Sequence, residues 1–117
     1  MGQLHLRPVG GLWIVRCGGT EIARSTRAVE LSEGDHPPVI VFPPEDVVAG
    51  SLQPGPAAVT PISNLPAFIG RPRPCAVIGA EGPVSGAALL IEAPRLPLQQ
   101  IAGWVLFDAE KLTVAAA

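Results

Sequence analysis

The sequence predicts a small, mainly β domain made of short strands, and three observations carry that prediction. The 13 glycines and 14 prolines are spread between apolar runs rather than clumped, so turns recur at short intervals. The apolar runs are short and rich in β-branched residues, as in strands. At 48% hydrophobic and 15% charged, the chain is too apolar for disorder. Its 117 residues favour one domain spanning 1–117. A chain of this size can bury a core without disulfide or metal staples.

The first hairpin is the clearest local feature. Leu12-Trp-Ile-Val-Arg-Cys17 has strand composition, and Gly18-Gly19 supplies the two positions that tolerate positive φ in a tight turn. Thr20 to Arg24 returns as the second strand. Trp13, Val15 and Cys17 share one face, and Leu12, Ile14 and Arg16 the other. Ala28 to Leu31 forms a third strand with Val29 and Leu31 pointing one way and Glu30 the other. A loop from Ser32 to Pro38 follows.

Val39-Ile-Val-Phe42 is a fourth strand and wholly apolar, so both of its faces, Ile40 included, should be covered. Prolines at 37, 38, 43 and 44 lack amide donors and end its ladder on each side. Glu45 to Val48 fits either a single helical turn or a short edge strand. Positions 49–74 form the least regular part, with repeated prolines. A long irregular segment of this kind is usually functional or mobile. Cys75 to Ile78 and Gly86 to Ile91 read as a hairpin across Gly79–Ser85. Leu96 to Ala102 fits one short helix, with Pro97 in its first turn and Gly103 at its end. Trp104 to Phe107 is a strand, Asp108 to Lys111 a turn, and Leu112 to Val114 a strand that closes the sheet.

Composition excludes several functions. The net charge is −2 and no basic patch stands out, so nucleic-acid binding lacks its phosphate-neutralising donors. No run approaches the ~18 apolar residues of a membrane span. The N-terminal stretch has no long apolar core of a signal peptide, and Leu6 stands where a myristoylation signal wants Ser or Thr. Cys17 and Cys75 belong to no CxxC pair and read as reduced thiols. The expectation is a cytoplasmic protein without membrane attachment.

The candidate chemistry is sparse. His5, Cys17, His36 and Cys75 lie in four separate segments, unlike the closely spaced ligand pairs of structural zinc, so no metal or other cofactor is expected. Asp35 adjoins His36, but neighbouring side chains on an extended chain point apart and cannot form a relay. There is no GxSxG elbow, phosphate loop or GxGxxG. Glu45-Asp46 is the one adjacent carboxylate pair outside a loose acidic edge at Glu30, Glu33 and Asp35. Its side chains diverge whether the chain is extended or helical, and Asp46 is expected to satisfy backbone amides near the turn. Arg24 and Arg27 flank Ser25-Thr26. Arg71 and Arg73 share one side of an extended segment and could hold a carboxylate or phosphate. Trp13, Phe42, Phe68, Trp104 and Phe107 serve as core or as ligand-stacking rings.

The frame Pro37-Pro38-x4-Pro43-Pro44-Glu45-Asp46-Val47 resembles the largely bacterial family known as domain of unknown function 427, sometimes labelled nucleotidyltransferase-like. Gly18 to Ser25 is similar to its early hairpin, Ala87 to Pro94 to its late Ala-Trp segment, and Ile101 to Asp108 to its closing IAG-x-V-x-F stretch. The resemblance implies a small antiparallel β-tent, two splayed sheets around a cleft, among relatives that include zinc-bearing and ligand-caging proteins. Departures from the pattern are systematic. Ile40 and Val41 stand where tyrosines are common, Leu89 replaces the late Trp, and Ile91 replaces a later aromatic residue. Leu65 to Gly70 carries neither the Cys nor the Lys of the family's Cys-Pro-aromatic-Lys-Gly motif. Aliphatic side chains offer neither hydroxyls nor ring faces. A metal-dependent transferase would need clustered carboxylates and a phosphate-cradling loop, and the sequence contains neither.

Two functions remain open. One is a non-catalytic domain binding a small apolar ligand or a protein partner; the other is an enzyme on nucleotide or acyl substrates. The expected ligand-binding residues are Arg27, Phe42, Asp46, Arg71 and Trp104. The apolar surplus also allows a homodimer interface.

Overall fold

The computed structural model describes residues 4–33, 38–54, 73–91 and 98–117. Within them lie strands β1 (Leu4–Pro8), β2 (Trp13–Cys17), β3 (Thr20–Ser25), β4 (Val29–Glu33), β5 (Val39–Phe42), β6 (Leu52–Pro54), β7 (Arg73–Gly79), β8 (Gly82–Leu90), β9 (Val105–Phe107) and β10 (Thr113–Ala116). The chain is mainly β, and all the strand pairs are antiparallel. Seven strands form one sheet in the order β1-β4-β5-β9-β8-β7-β6, and three form a second in the order β10-β2-β3.

The alternating pleat explains why the larger sheet has two apolar faces. Val29 pairs with Val41, Val41 with Leu106, and Leu106 with Leu89, so these side chains share a face. Phe42 pairs with Val105, and Phe107 with Ala88, on the opposite face. That opposite face packs against Val15, Cys17, Ile22 and Ala23 of the smaller sheet. The Phe42 and Phe107 rings meet edge to face there, with centroids 5.6 Å apart and planes at 74°. The first face holds a second core of Leu31, Val41, Leu89, Ile91, Ile101 and Leu106.

Short connections close both cores. Gly18 and Gly19, at φ of +57° and +90°, make the β2–β3 turn, and the register shifts by a bulge between Val15 and Arg16. After β5, Pro43 and Pro44 lead into a 3-10 turn at Pro44–Asp46. The chain then reaches the smaller sheet, where Val47 bridges Ala23 and the Val48 amide donates to the Ile22 carbonyl at 2.8 Å. Glu45 to Val48 thus combines both sequence alternatives: a helical turn, then an edge contact. A second 3-10 turn, Leu98–Ile101, is followed by hydrogen bonds from Ile91 N to Trp104 O and from Gly103 N to Ile91 O, at 2.9 and 2.7 Å.

Several expectations need correction. Of the helix expected over Leu96 to Ala102, the described part is this 3-10 turn at Leu98–Ile101, and Leu96 and Pro97 lie outside the described residues. The β7–β8 turn is tighter than Gly79–Ser85, since the ladder continues to Gly79 paired with Gly82. The last strand runs over Thr113–Ala116 rather than Leu112 to Val114, and it closes the smaller sheet by pairing with β2. Ile40 is half-buried, opposite Glu30, so coverage of β5 is complete only at Val41 and Phe42. Strands β1 and β6 are additions that local composition does not announce.

The end of β7 approaches β2 closely at Gly79 and Cys17. A Cβ built on Gly79 would lie 2.5 Å from Cys17 Sγ and 3.1 Å from Cys17 Cβ. Both values fall inside normal contact, and the neighbours are buried. Gly79→Ala is therefore expected to destabilise the protein by about 1–3 kcal/mol, the usual cost of overpacking. Cys17→Ala should restore part of that loss in the double variant, because it removes the nearer atom. Urea unfolding of the two single variants and the double measures the coupling; strictly additive losses would place the clash elsewhere.

Candidate functional site

Two features emerge from the fold, an apolar groove and a polar clasp. The groove forms where β1 pairs with β4. Leu6 opposite Leu31 and Pro8 opposite Val29 put Leu6 and Pro8 on the face of the second core. The 98–104 segment lies beside them, held to Ile91 by the hydrogen bonds given above. Between the two runs a groove of about 290 Å³, lined by Leu6, Pro8, Val29, Gln100, Ile101 and Trp104. Trp104 is half-buried, so one part of its ring rests on the core and another faces the groove. Gln100 is exposed and is the one polar side chain among the described lining residues. The wall can exclude water from an apolar group and offers one amide for orientation.

The clasp joins the end of β3 to the 3-10 turn after β5. Ser25 is 2% exposed because Ala23 and Ser25 both face inward along the strand. Its hydroxyl donates to Asp46 Oδ2 at 2.7 Å and accepts the Arg27 amide at 2.9 Å. The Arg27 guanidinium donates to Glu45 Oε1 at 3.0 Å and to Asp46 Oδ2 at 3.3 Å. Asp46 therefore accepts from a hydroxyl and a guanidinium, not from the turn amides expected of it. The arrangement sets one guanidinium against both carboxylates and ties the smaller sheet to the connection leaving the larger one.

The sequence-derived site residues thus fall in different places. Arg27 and Asp46 come together in the clasp. Trp104 lines the groove. Phe42 has no exposed surface and packs between the sheets. Arg71 lies outside the described residues, as do His36, Asp35, Phe68 and Leu65 to Gly70. Arg73 is not on a loop but opens β7, with an exposed side chain. Among the described residues no group of three or more His, Cys, Asp or Glu is placed to hold a metal. Cys17 and Cys75 are both buried and unbridged. No described helix is long and apolar enough to cross a membrane.

Sequence reasoning missed Ser25, Leu6, Pro8 and Gln100. Ser25 carried a usable signal, a hydroxyl two positions from Ala23 on an inward strand face, where a buried polar atom needs a partner. The others carried none, because their roles depend on strands distant in sequence.

One exposed pair also titrates distinctively. The hydrogen bond from Arg24, at 2.8 Å, is the main cause holding the Glu21 carboxyl below its ordinary 4.5, and the same contact raises Arg24. A carboxyl depressed in the fold favours folding above its unfolded pKa, and that contribution fades as pH falls through the folded value. Because the pair is exposed, solvent and salt weaken it.

The family model described as a domain of unknown function, DUF427, matches residues 5–117. Comparison with curated proteins returned no match.

The clasp predicts a graded response to mutation. Asp46→Ala leaves the buried Ser25 hydroxyl without its acceptor and should cost about 1–3 kcal/mol. Arg27→Ala removes the exposed guanidinium's ion pairs to Glu45 and Asp46 and should cost less than about 1 kcal/mol. Thermal and urea unfolding rank the two, and equal losses would contradict the geometry. Separately, Arg24→Ala should return Glu21 towards its ordinary 4.5, and added salt should shrink the difference in an NMR titration of the carboxyl carbons.

Proposed function

The chain belongs to the DUF427 family, and from that premise we propose that it is a single-domain, non-catalytic binding module whose ligand is a small apolar molecule seated in the Trp104 groove. The groove's composition carries the reading. Among the described residues, five of its six lining side chains are apolar, one of them an indole, and Gln100 supplies a hydrogen-bonding group. Its volume of about 290 Å³ lies near the lower end of small-molecule pockets, which run from roughly 300 to 1,000 Å³. That size suits a ring or a short acyl chain stacked on the indole rather than a nucleotide. Two buried, unbridged thiols support a reducing, cytoplasmic setting.

The enzyme alternative draws on Arg27 and Asp46, or on the Arg71/Arg73 pair, of which Arg71 lies outside the described residues. Arg27 and Asp46 satisfy one another through the Ser25 clasp, which favours a structural role for them.

Fluorescence tests the reading directly. Trp13→Phe leaves Trp104 as the sole indole reporter. Titration with octanoate, with a naphthalene-based aromatic and with ATP is expected to give a saturable emission change for one of the first two. Trp104→Ala and Ile101→Ser, checked for folding by circular dichroism, should each weaken that binding at least tenfold, read by equilibrium dialysis. Saturable ATP binding abolished by Arg27→Ala would favour the enzyme instead. Absence of saturable binding by all three probes would overturn the groove assignment.

A further inference from the structure

The fold leaves strand edges that differ in how they are protected. An open edge presents a row of unpaired amides and carbonyls, and proteins ordinarily blunt it with charge, proline, brevity or a covering segment. The outer edge of β3 is covered where Val47 bridges Ala23 and the Val48 amide bonds Ile22. β6 is three residues long. β1 carries an exposed His5 and Arg7, the latter paired with Glu30 at 2.9 Å, and ends in Pro8. β10 is also short, at four residues, but among the described residues no segment pairs with its outer edge. Its sequence is Thr-Val-Ala-Ala, without charge or proline, and Thr113, Ala115 and Ala116 are exposed.

The register identifies which groups point outward. β10 pairs with β2 through Val114 opposite Val15 and Ala115 opposite Ile14, and the Ala117 amide donates to Leu12 O at 2.8 Å. Hydrogen-bonded and non-bonded pairs alternate along an antiparallel ladder. Residues 113, 115 and 117 therefore bond inward to β2, and the amides and carbonyls of Val114 and Ala116 face out. Val114 also packs against the inter-sheet core, so the strand is held in place before any partner arrives.

We propose that the free edge of β10 pairs antiparallel with β10 of a second copy, joining two three-stranded sheets into one of six strands across a twofold axis at Ala115. That register pairs Val114 with Ala116 of the other copy, and the reverse, using every outward group of the strand. It opposes Ala115 to its own symmetry mate and brings no like charges together. The same operation on β1 would face two copies of Arg7 and His5 towards each other. A four-residue ladder falls below the roughly 1,000 Å² of a stable interface, so the association is weak and concentration-dependent.

Sedimentation equilibrium of the full chain tests this up to about 1 mM, the range of weak complexes. The average mass should rise from 12.1 kDa towards its double. Ala116→Pro removes an outward amide but no bond to β2, and edge positions tolerate proline. It should hold the mass at the monomer value with an unchanged melting curve. Ala115→Cys gives an independent check. Non-bonded antiparallel neighbours lie about 4.5 Å apart between Cα atoms, within disulfide reach, so mild oxidation should produce a covalent dimer. A wild-type chain that stays monomeric throughout, or a dimer that neither responds to Ala116→Pro nor crosslinks at Ala115→Cys, overturns the proposal.

Discussion

Strand β5 lies between β4 and β9 near the middle of the larger sheet, and its Val41 and Phe42 have no exposed surface. Consecutive residues on a strand point to opposite faces, so two adjacent buried side chains demand cover on both sides. One cover is the smaller sheet, which meets Phe42 through Val15, Ile22 and Ala23. The other is the 98–104 segment, which sets Ile101 over the face of Val41. Paired prolines beside this strand stop its ladder and redirect the chain towards the smaller sheet. The rest of the architecture follows from having to close both faces with short, turn-rich connections.

The groove and the clasp are by-products of those two closures. The 98–104 segment covers only part of its face, and the remaining gap beside β1 is bounded by Leu6, Pro8 and Trp104. On the other face, the chain leaving β5 must cross to the smaller sheet. Burial of Ser25 there requires an acceptor, and Asp46 supplies it. The clasp's charged groups pair with each other, whereas the groove's apolar surface has no such partner among the described residues that line it. That contrast separates a group holding the fold from a surface able to hold something else.

Local signals were legible wherever a residue's conformation depends on its neighbours in sequence. Gly18-Gly19 marked the β2–β3 turn, and the proline frame marked the limits of β5. Arg27, Asp46 and Trp104 were recognisable as unusual residues, although the pairing of the first two was not. Phe42 could not be divided between core and ligand contact, because both uses want a ring on an apolar strand. β1 was missed because Leu-His-Leu-Arg-Pro has weak strand character and exists as a strand only through its ladder with β4.

Sequence alone determined the β class, the family, the Gly18-Gly19 turn and the strand character of β5. These follow from proline's missing amide, glycine's access to positive φ and the alternation of side chains, all properties of adjacent residues. Only the tertiary structure decided the strand order, the meeting of Cys17 with Gly79, the Ser25–Asp46 hydrogen bond and the groove beside Trp104. Each of those joins residues far apart along the chain, and which distant surfaces meet is settled by the packing of the whole molecule rather than by any local preference.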